Sequence, residues 1–232
     1  MRRAALLGCL ALCSCVTAQI ALPAEQTAHV ERRLAGETRY LRDSMFVTPF
    51  FGDSTKKLVT AIDPKLVRLL NNPDGSPVSP GAVEGILQVG AVVRISRIEF
   101  PSTTAIAERV LFTPRSLAWL YLEVAGPLKT APHVLVLRPG LRTEDELMSE
   151  VDRYLTRDDP TKRVESFSDS AREGITTKTA VIDMPSEALE MAWGPPERKV
   201  IALEGDKKRE TWSWAEGQRT ATLLDGRVVE LK

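Results

Sequence analysis

Apolar positions along the chain change period twice, and those changes outline its elements. Val30, Leu34 and Leu41 recur at roughly helical spacing within Glu25–Leu41, which predicts a helix. The stretch DSMFVTPFFGD is apolar and aromatic but broken by Pro49 and Gly52, and NNPDGSPVSPG, dense in turn formers, predicts a surface loop. Beyond Val83 the pattern turns β-like. AVVRISRIEF is rich in β-branched residues, AWLYLEV places Leu120, Leu122 and Val124 on one face, and HVLVL is a short continuous apolar run suited to a central strand. Gly85, Gly90 and Gly126-Pro127 punctuate these runs. Thr143-x-x-Glu146 then forms a capping box ahead of Leu147, Val151, Tyr154 and Leu155, predicting a helix from Thr143 to Leu155.

A polar stretch, TRDDPTKR, marks a boundary, after which the pattern restarts. Val164 to Arg172 reads as a short helix ended by Gly174. A second helix, capped by Asp183 with Pro185 in its first turn, ends at Gly194-Pro195-Pro196. Four short strands follow, over residues 199–203, 209–215, 219–224 and 227–231. Glu216-Gly217 and Asp225-Gly226 read as two-residue hairpin turns between them. The expected class is α+β. A helix with a small antiparallel sheet or barrel occupies 27–157, and a helix or helix pair on a three- to four-stranded meander occupies 164–232.

The first residues have a different character. Met1-Arg2-Arg3 precedes an uncharged run, Ala4–Cys13, that is far shorter than the roughly 20 residues a membrane-spanning helix needs, so residues 1–14 read as a signal peptide. Leu12-Cys13-Ser14-Cys15 resembles a bacterial lipobox, which would make Cys15 the acylated first residue of the mature chain, with residues 15–26 as a tether. Val16-Thr17-Ala18 offers the alternative exit, releasing a soluble periplasmic chain that begins at Gln19. All three cysteines lie in this stretch, so on either route neither a disulfide nor a catalytic thiol belongs to the mature protein.

Composition adds mainly exclusions. Lys and Arg number 31 against 31 Asp and Glu, and loss of Arg2 and Arg3 leaves a slight acidic excess, so the chain carries no electrostatic footprint for nucleic acid. It has no polybasic segment for anionic lipid either, so any membrane attachment falls to the acyl anchor. No metal-ligand or catalytic motif is present, and GDSTKK lacks the second glycine of a phosphate loop. His29 and His133 have no marked partner, and Asp158-Asp159 with Glu165 reads as a solvated loop. No cofactor and no enzymatic activity are expected.

Two groups remain as candidate binding residues. Trp193, Trp212 and Trp214 form either an aromatic ledge or the core of the small C-terminal unit. Arg109 and Arg115 flank VLFTP, where they hold either a carboxylate or lipid headgroup, or an internal salt bridge.

The C-terminal unit also carries a family likeness. DMPSEALEMAWGPPE, followed by ETWSW, RTATLL and DGRVV, resembles the SmpA/OmlA (BamE-like) family over roughly the last 60 residues. Met184 stands at the family's methionine, Leu189 at its mid-helix apolar position, Gly194 and Pro196 at its Gly-x-Pro, and Trp212 at its strand tryptophan. Asp183, Pro185 and Trp193 depart from its Gly, Thr and Leu. The resemblance implies an outer-membrane lipoprotein that faces the periplasm, binds an envelope protein partner and supports β-barrel assembly. A soluble periplasmic protein binding a small ligand or lipid is the alternative, and the oligomeric state stays open.

Overall fold

The computed structural model describes residues 22–126, 128 and 131–232. The signal segment, both candidate processing sites, Cys15 and Pro127 lie outside the described residues. Among the described residues no helix is long and apolar enough to cross a membrane.

The first half builds one sheet and its cover. Helix α1 (Ala24–Leu34) buries Val30 and Leu34 but ends there, so Leu41, expected in the same helix, instead closes β1 (Thr38–Leu41), which leads into β2 (Met45–Phe50) and β3 (Asp53–Thr60). After the turn-rich loop come β4 (Gly85–Leu87), β5 (Val92–Glu99), a short helix α2 (Thr103–Glu108), β6 (Trp119–Val124) and β7 (His133–Val136). Helix α3 (Glu144–Tyr154) and the two-residue β8 (Leu155–Thr156) close the unit. Thr143 Oγ1 accepts the Glu146 N–H at 3.2 Å, while the Glu146 carboxylate reaches back to the N–H of Arg142 at 2.7 Å. That exchange satisfies helix-end donors that would otherwise be orphaned.

The sheet is larger than the sequence pattern predicts. Eight strands run in the order β4-β2-β3-β7-β6-β5-β1-β8, open at both ends, with β3 and β7 parallel and every other pair antiparallel. It is not a barrel. Both faces are covered. Leu120, Leu122 and Leu135 join Val30, Leu34, Leu147 and Val151 under α1 and α3, while Phe50, Leu58, Trp119, Tyr121 and Val134 cluster on the opposite side. Double burial explains why β6 and β7 read as nearly continuous apolar runs.

The second half is a helix group on a meander. Helices α4 (Thr161–Glu165), α5 (Asp169–Thr177) and α6 (Ser186–Trp193) precede β9 (Arg198–Glu204), β10 (Lys207–Trp214), β11 (Arg219–Leu224) and β12 (Arg227–Leu231), which form a separate antiparallel sheet. In this unit three local expectations are corrected. Helix α5 runs through Gly174, because a Cβ there would lie 2.5 Å from Thr179 O and 2.6 Å from Met184 Cε, so the glycine permits close packing and does not end the helix. Pro185, not Asp183, stands at the α6 cap, and Asp183 adopts φ +66 with its N–H on Val228 O. Glu216-Gly217 belongs to a longer left-handed turn with Ala215, whereas Asp225-Gly226 is the two-residue turn expected.

The two units meet along a polar seam. The Ser44 N–H donates to Met191 O at 2.8 Å, and Gln88 and Arg153 donate to Thr176 O and Pro196 O. The buried Lys178 ammonium donates to Ser44 O and, at 2.7 Å, to Ala192 O. Gly194 has φ +82, and a Cβ there would overlap Ala61, so only glycine lets the units approach. Asp43 is buried beside Lys178, and neither carboxyl oxygen has a hydrogen-bond partner among the described residues.

Desolvation raises the Asp43 carboxyl from its ordinary 3.8 to about 8, with the Lys178 charge working against the shift. Burial pushes Lys178 down, and Asp43 opposes that. A raised folded-state value means the native state holds the Asp43 proton longer than the unfolded chain does. Its contribution is therefore complete below about pH 4 and is lost as pH climbs towards 8. Asp43→Asn should grow more stable relative to wild type across that window, by up to about 1.4 kcal/mol per pH unit. Urea denaturation of both proteins at the two ends of the window checks this; a constant difference would contradict it.

Candidate functional site

The structure places the two candidate groups in different settings. Trp193, Trp212 and Trp214 are 8, 4 and 2 % exposed and pack together between α6 and the meander. The Trp193 and Trp214 rings meet edge to face with centroids 5.2 Å apart. Both strand indoles have partners, Trp212 on Glu210 at 2.9 Å and Trp214 on Gly194 O at 3.0 Å. These rings are chiefly core, packed with α6 and the meander, and do not form an exposed ledge among the described residues. Trp212 also lines a cleft of about 370 Å³ at the seam, beside Lys199, whose ammonium lies 3.8 Å from its ring centroid.

Arg109 is likewise turned inward. Its guanidinium donates to Glu99 Oε1 at 2.7 Å, to Arg115 O at 2.7 Å, to Leu117 O at 2.8 Å and to Glu99 O at 3.1 Å. It also stacks 3.8 Å from the Trp119 ring centroid. Burial pulls its pKa down while Glu99 opposes the change, so the charge is kept and held inside the protein. Arg115 donates to Ile106 O at 3.2 Å. For Arg109 the internal salt bridge, with Glu99, is the one realised, whereas Arg115 has no ion pair among the described residues.

These bonds create something the sequence did not single out. Between the two arginines, Val110, Leu111 and Phe112 are 41, 62 and 64 % exposed. Thr113 Oγ1 ties back to Val110 O at 2.7 Å, and the Trp119 indole holds Pro114 O at 3.1 Å. The Gly52 turn flanks the loop, where a Cβ would come within 3.6 Å of Phe112 Cβ. Three consecutive large apolar residues therefore project from a loop whose base is fixed by five or more hydrogen bonds. A groove of about 600 Å³ runs beside it, with Lys56, Arg97, Glu99 and Arg109 among its walls. An exposed apolar tip beside a groove is a surface suited to contact.

The histidines stand apart from it. His29 Nδ1 contacts Glu144 at 2.8 Å, linking α1 to the start of α3 alongside Arg33. His133 is buried at the start of β7, desolvation lowers its pKa, and its Nε2 has no partner among the described residues. Among the described residues, no group of three or more His, Cys, Asp or Glu is placed to hold a metal ion.

One cavity, of about 250 Å³, opens at the seam between the units. Ile62, Val67, Leu135 and Pro195 supply apolar wall, and Arg153 and Glu150 the polar part. Glu150 is buried and held by Arg138 at 2.9 Å and Arg153 at 3.6 Å, and burial pushes the Tyr154 hydroxyl up.

No family model, curated protein or solved structure matches this chain.

Replacing Arg109 tests whether it positions the loop. Arg109→Met keeps the aliphatic stem but removes the donor to three carbonyls and to Glu99 Oε1, so a loss of about 3 kcal/mol is expected. Amide exchange at residues 110–113 should accelerate more than at β6 or β7. Uniform acceleration across the sheet would show that the arginine serves global stability alone.

Proposed function

We propose that this chain is a non-enzymatic protein-interaction module of a bacterial envelope, anchored through an acylated Cys15 and facing the periplasm. It docks to an envelope protein through Val110, Leu111 and Phe112. The exposure of that apolar triplet on a clamped loop carries the reading. An apolar tip that is already ordered loses little conformational freedom on binding, which raises affinity without added area. The lipobox-like segment supplies the compartment. The SmpA/OmlA resemblance supplies the suggestion of outer-membrane biogenesis.

One observation favours a second reading, a soluble periplasmic protein that binds a small apolar ligand or lipid. The seam cavity combines apolar walls with a buried Glu150 paired to the more exposed Arg138 and Arg153, a cluster that would orient a polar head.

Crosslinked capture of the tagged full chain from bacterial envelope membranes separates the two. The expected result is recovery of barrel-assembly components with a diacylated Cys15 peptide. Leu111→Ser/Phe112→Ser, with an unchanged circular dichroism spectrum, should reduce that recovery about tenfold. Equal recovery by the variant would overturn the docking surface. A chain beginning at Gln19 that carries a co-purified small molecule would favour the second reading.

A further inference from the structure

Two sheets have four edges, and three of them are blunted. In the large sheet the outer strands β4 and β8 have only three and two residues. In the small sheet β12 is broken from its partner's register by a bulge between Thr222 and Leu223. Its outer side is also occupied, since Val228 exchanges hydrogen bonds with Asp183 and Met184, and Pro185 bridges to Arg227. Short strands, bulges and covered outer sides are the usual protections of a sheet edge.

Strand β9 has none of these. It spans seven residues, contains no proline, and pairs with β10 in unbroken register from Arg198↔Ser213 to Glu204↔Lys207. Among the described residues no strand lies on its outer side. Val200, Ile201 and Leu203 are 45, 58 and 81 % exposed. A long, flat, apolar edge of this kind is a template for another strand.

Its sequence selects which strand. Arg198-Lys199-Val200-Ile201-Ala202-Leu203-Glu204 has cations at one end, an anion at the other and Ile201 at the centre. We infer that β9 pairs antiparallel with β9 of a second copy, about a two-fold axis at Ile201, joining two four-stranded sheets into one of eight strands. In that register Ile201 faces its own counterpart, Val200 faces Ala202, and Lys199 lays its stem beside Leu203. Arg198 faces Glu204, twice by symmetry, and opposite charges directly across an antiparallel pair are favourable. Arg198 has no ion pair among the described residues. Glu204 holds Arg209 through Oε2, which leaves Oε1 for the arginine. The cross-strand partner of Ala202 is Arg209, so Arg209 and Glu204 share the face on which Arg198 would arrive. A parallel, in-register copy would instead set Arg198 on Arg198 and Glu204 on Glu204, which disfavours it.

This surface is distinct from the 110–112 loop, so each can fail without the other. Sedimentation equilibrium of the full chain in mild detergent, over roughly 1 to 100 µM, reads the association directly. A monomer–dimer equilibrium is expected. Arg198→Glu or Glu204→Arg should weaken it about tenfold, because each places like charges opposite one another at two positions. Arg198→Glu/Glu204→Arg should restore it, and Leu111→Ser/Phe112→Ser should leave it unchanged. A monomer throughout the range would overturn the inference. So would a dimer indifferent to both single reversals, or one the double reversal fails to restore.

Discussion

The ammonium of Lys178 is taken out of water by two carbonyls that belong to different halves of the chain. Ser44 O comes from the turn before β2, and Ala192 O from the end of α6, with the Phe46 ring 5.0 Å away. A buried ammonium without such partners costs several kcal/mol, so it is tolerable only while both carbonyls are in place. The cation therefore ties the relative placement of the two units to its own solvation. Gly194 enforces the same closeness by steric means, and Trp214 fixes Gly194 through its carbonyl. Asp43, whose carboxyl oxygens have no hydrogen-bond partner among the described residues, is the cost of that arrangement, and its raised pKa is the sign of it.

A fixed seam gives the exposed surfaces a fixed geometry. The Val110–Phe112 tip stands on the large sheet and the β9 edge on the small one, so with the units locked the two have one relation in space. Most ion pairs on the surface, such as Arg94–Glu123 or Arg163–Glu187, are half exposed and contribute little to stability. The order of the 110–112 loop has a different source. A desolvated guanidinium there satisfies three carbonyls and one carboxylate at once, and such charge-assisted bonds are worth more than surface pairs.

What was legible in the sequence was local. β-Branched and apolar runs bounded by turn signals located β5, β6, β7 and the four strands of the meander, and Thr143 with Glu146 located α3 to within a residue or two, because neighbours in sequence determine those choices. Trp193, Trp212 and Trp214 carried two readings until burial decided between them. Glycine misled where packing overrode local preference: Gly174 looks like a helix stop, but a neighbouring backbone demands it. The seam was not legible at all. Asp43 in RDSM and Lys178 in TTKT look like ordinary loop charges, and only the meeting of distant segments buries them. The docking tip lies between these extremes. Three large apolar residues outside any strand were visible, but the clamp beneath them depends on Glu99, Arg115 and Leu117 converging on Arg109.

Differential scanning calorimetry of the intact chain tests the seam most directly. Two units that share a buried cation and interlocked backbone should unfold together, in one transition whose calorimetric and van't Hoff enthalpies agree. Two resolved transitions, one for each sheet, would contradict the claim that Lys178 and Gly194 make the units a single body.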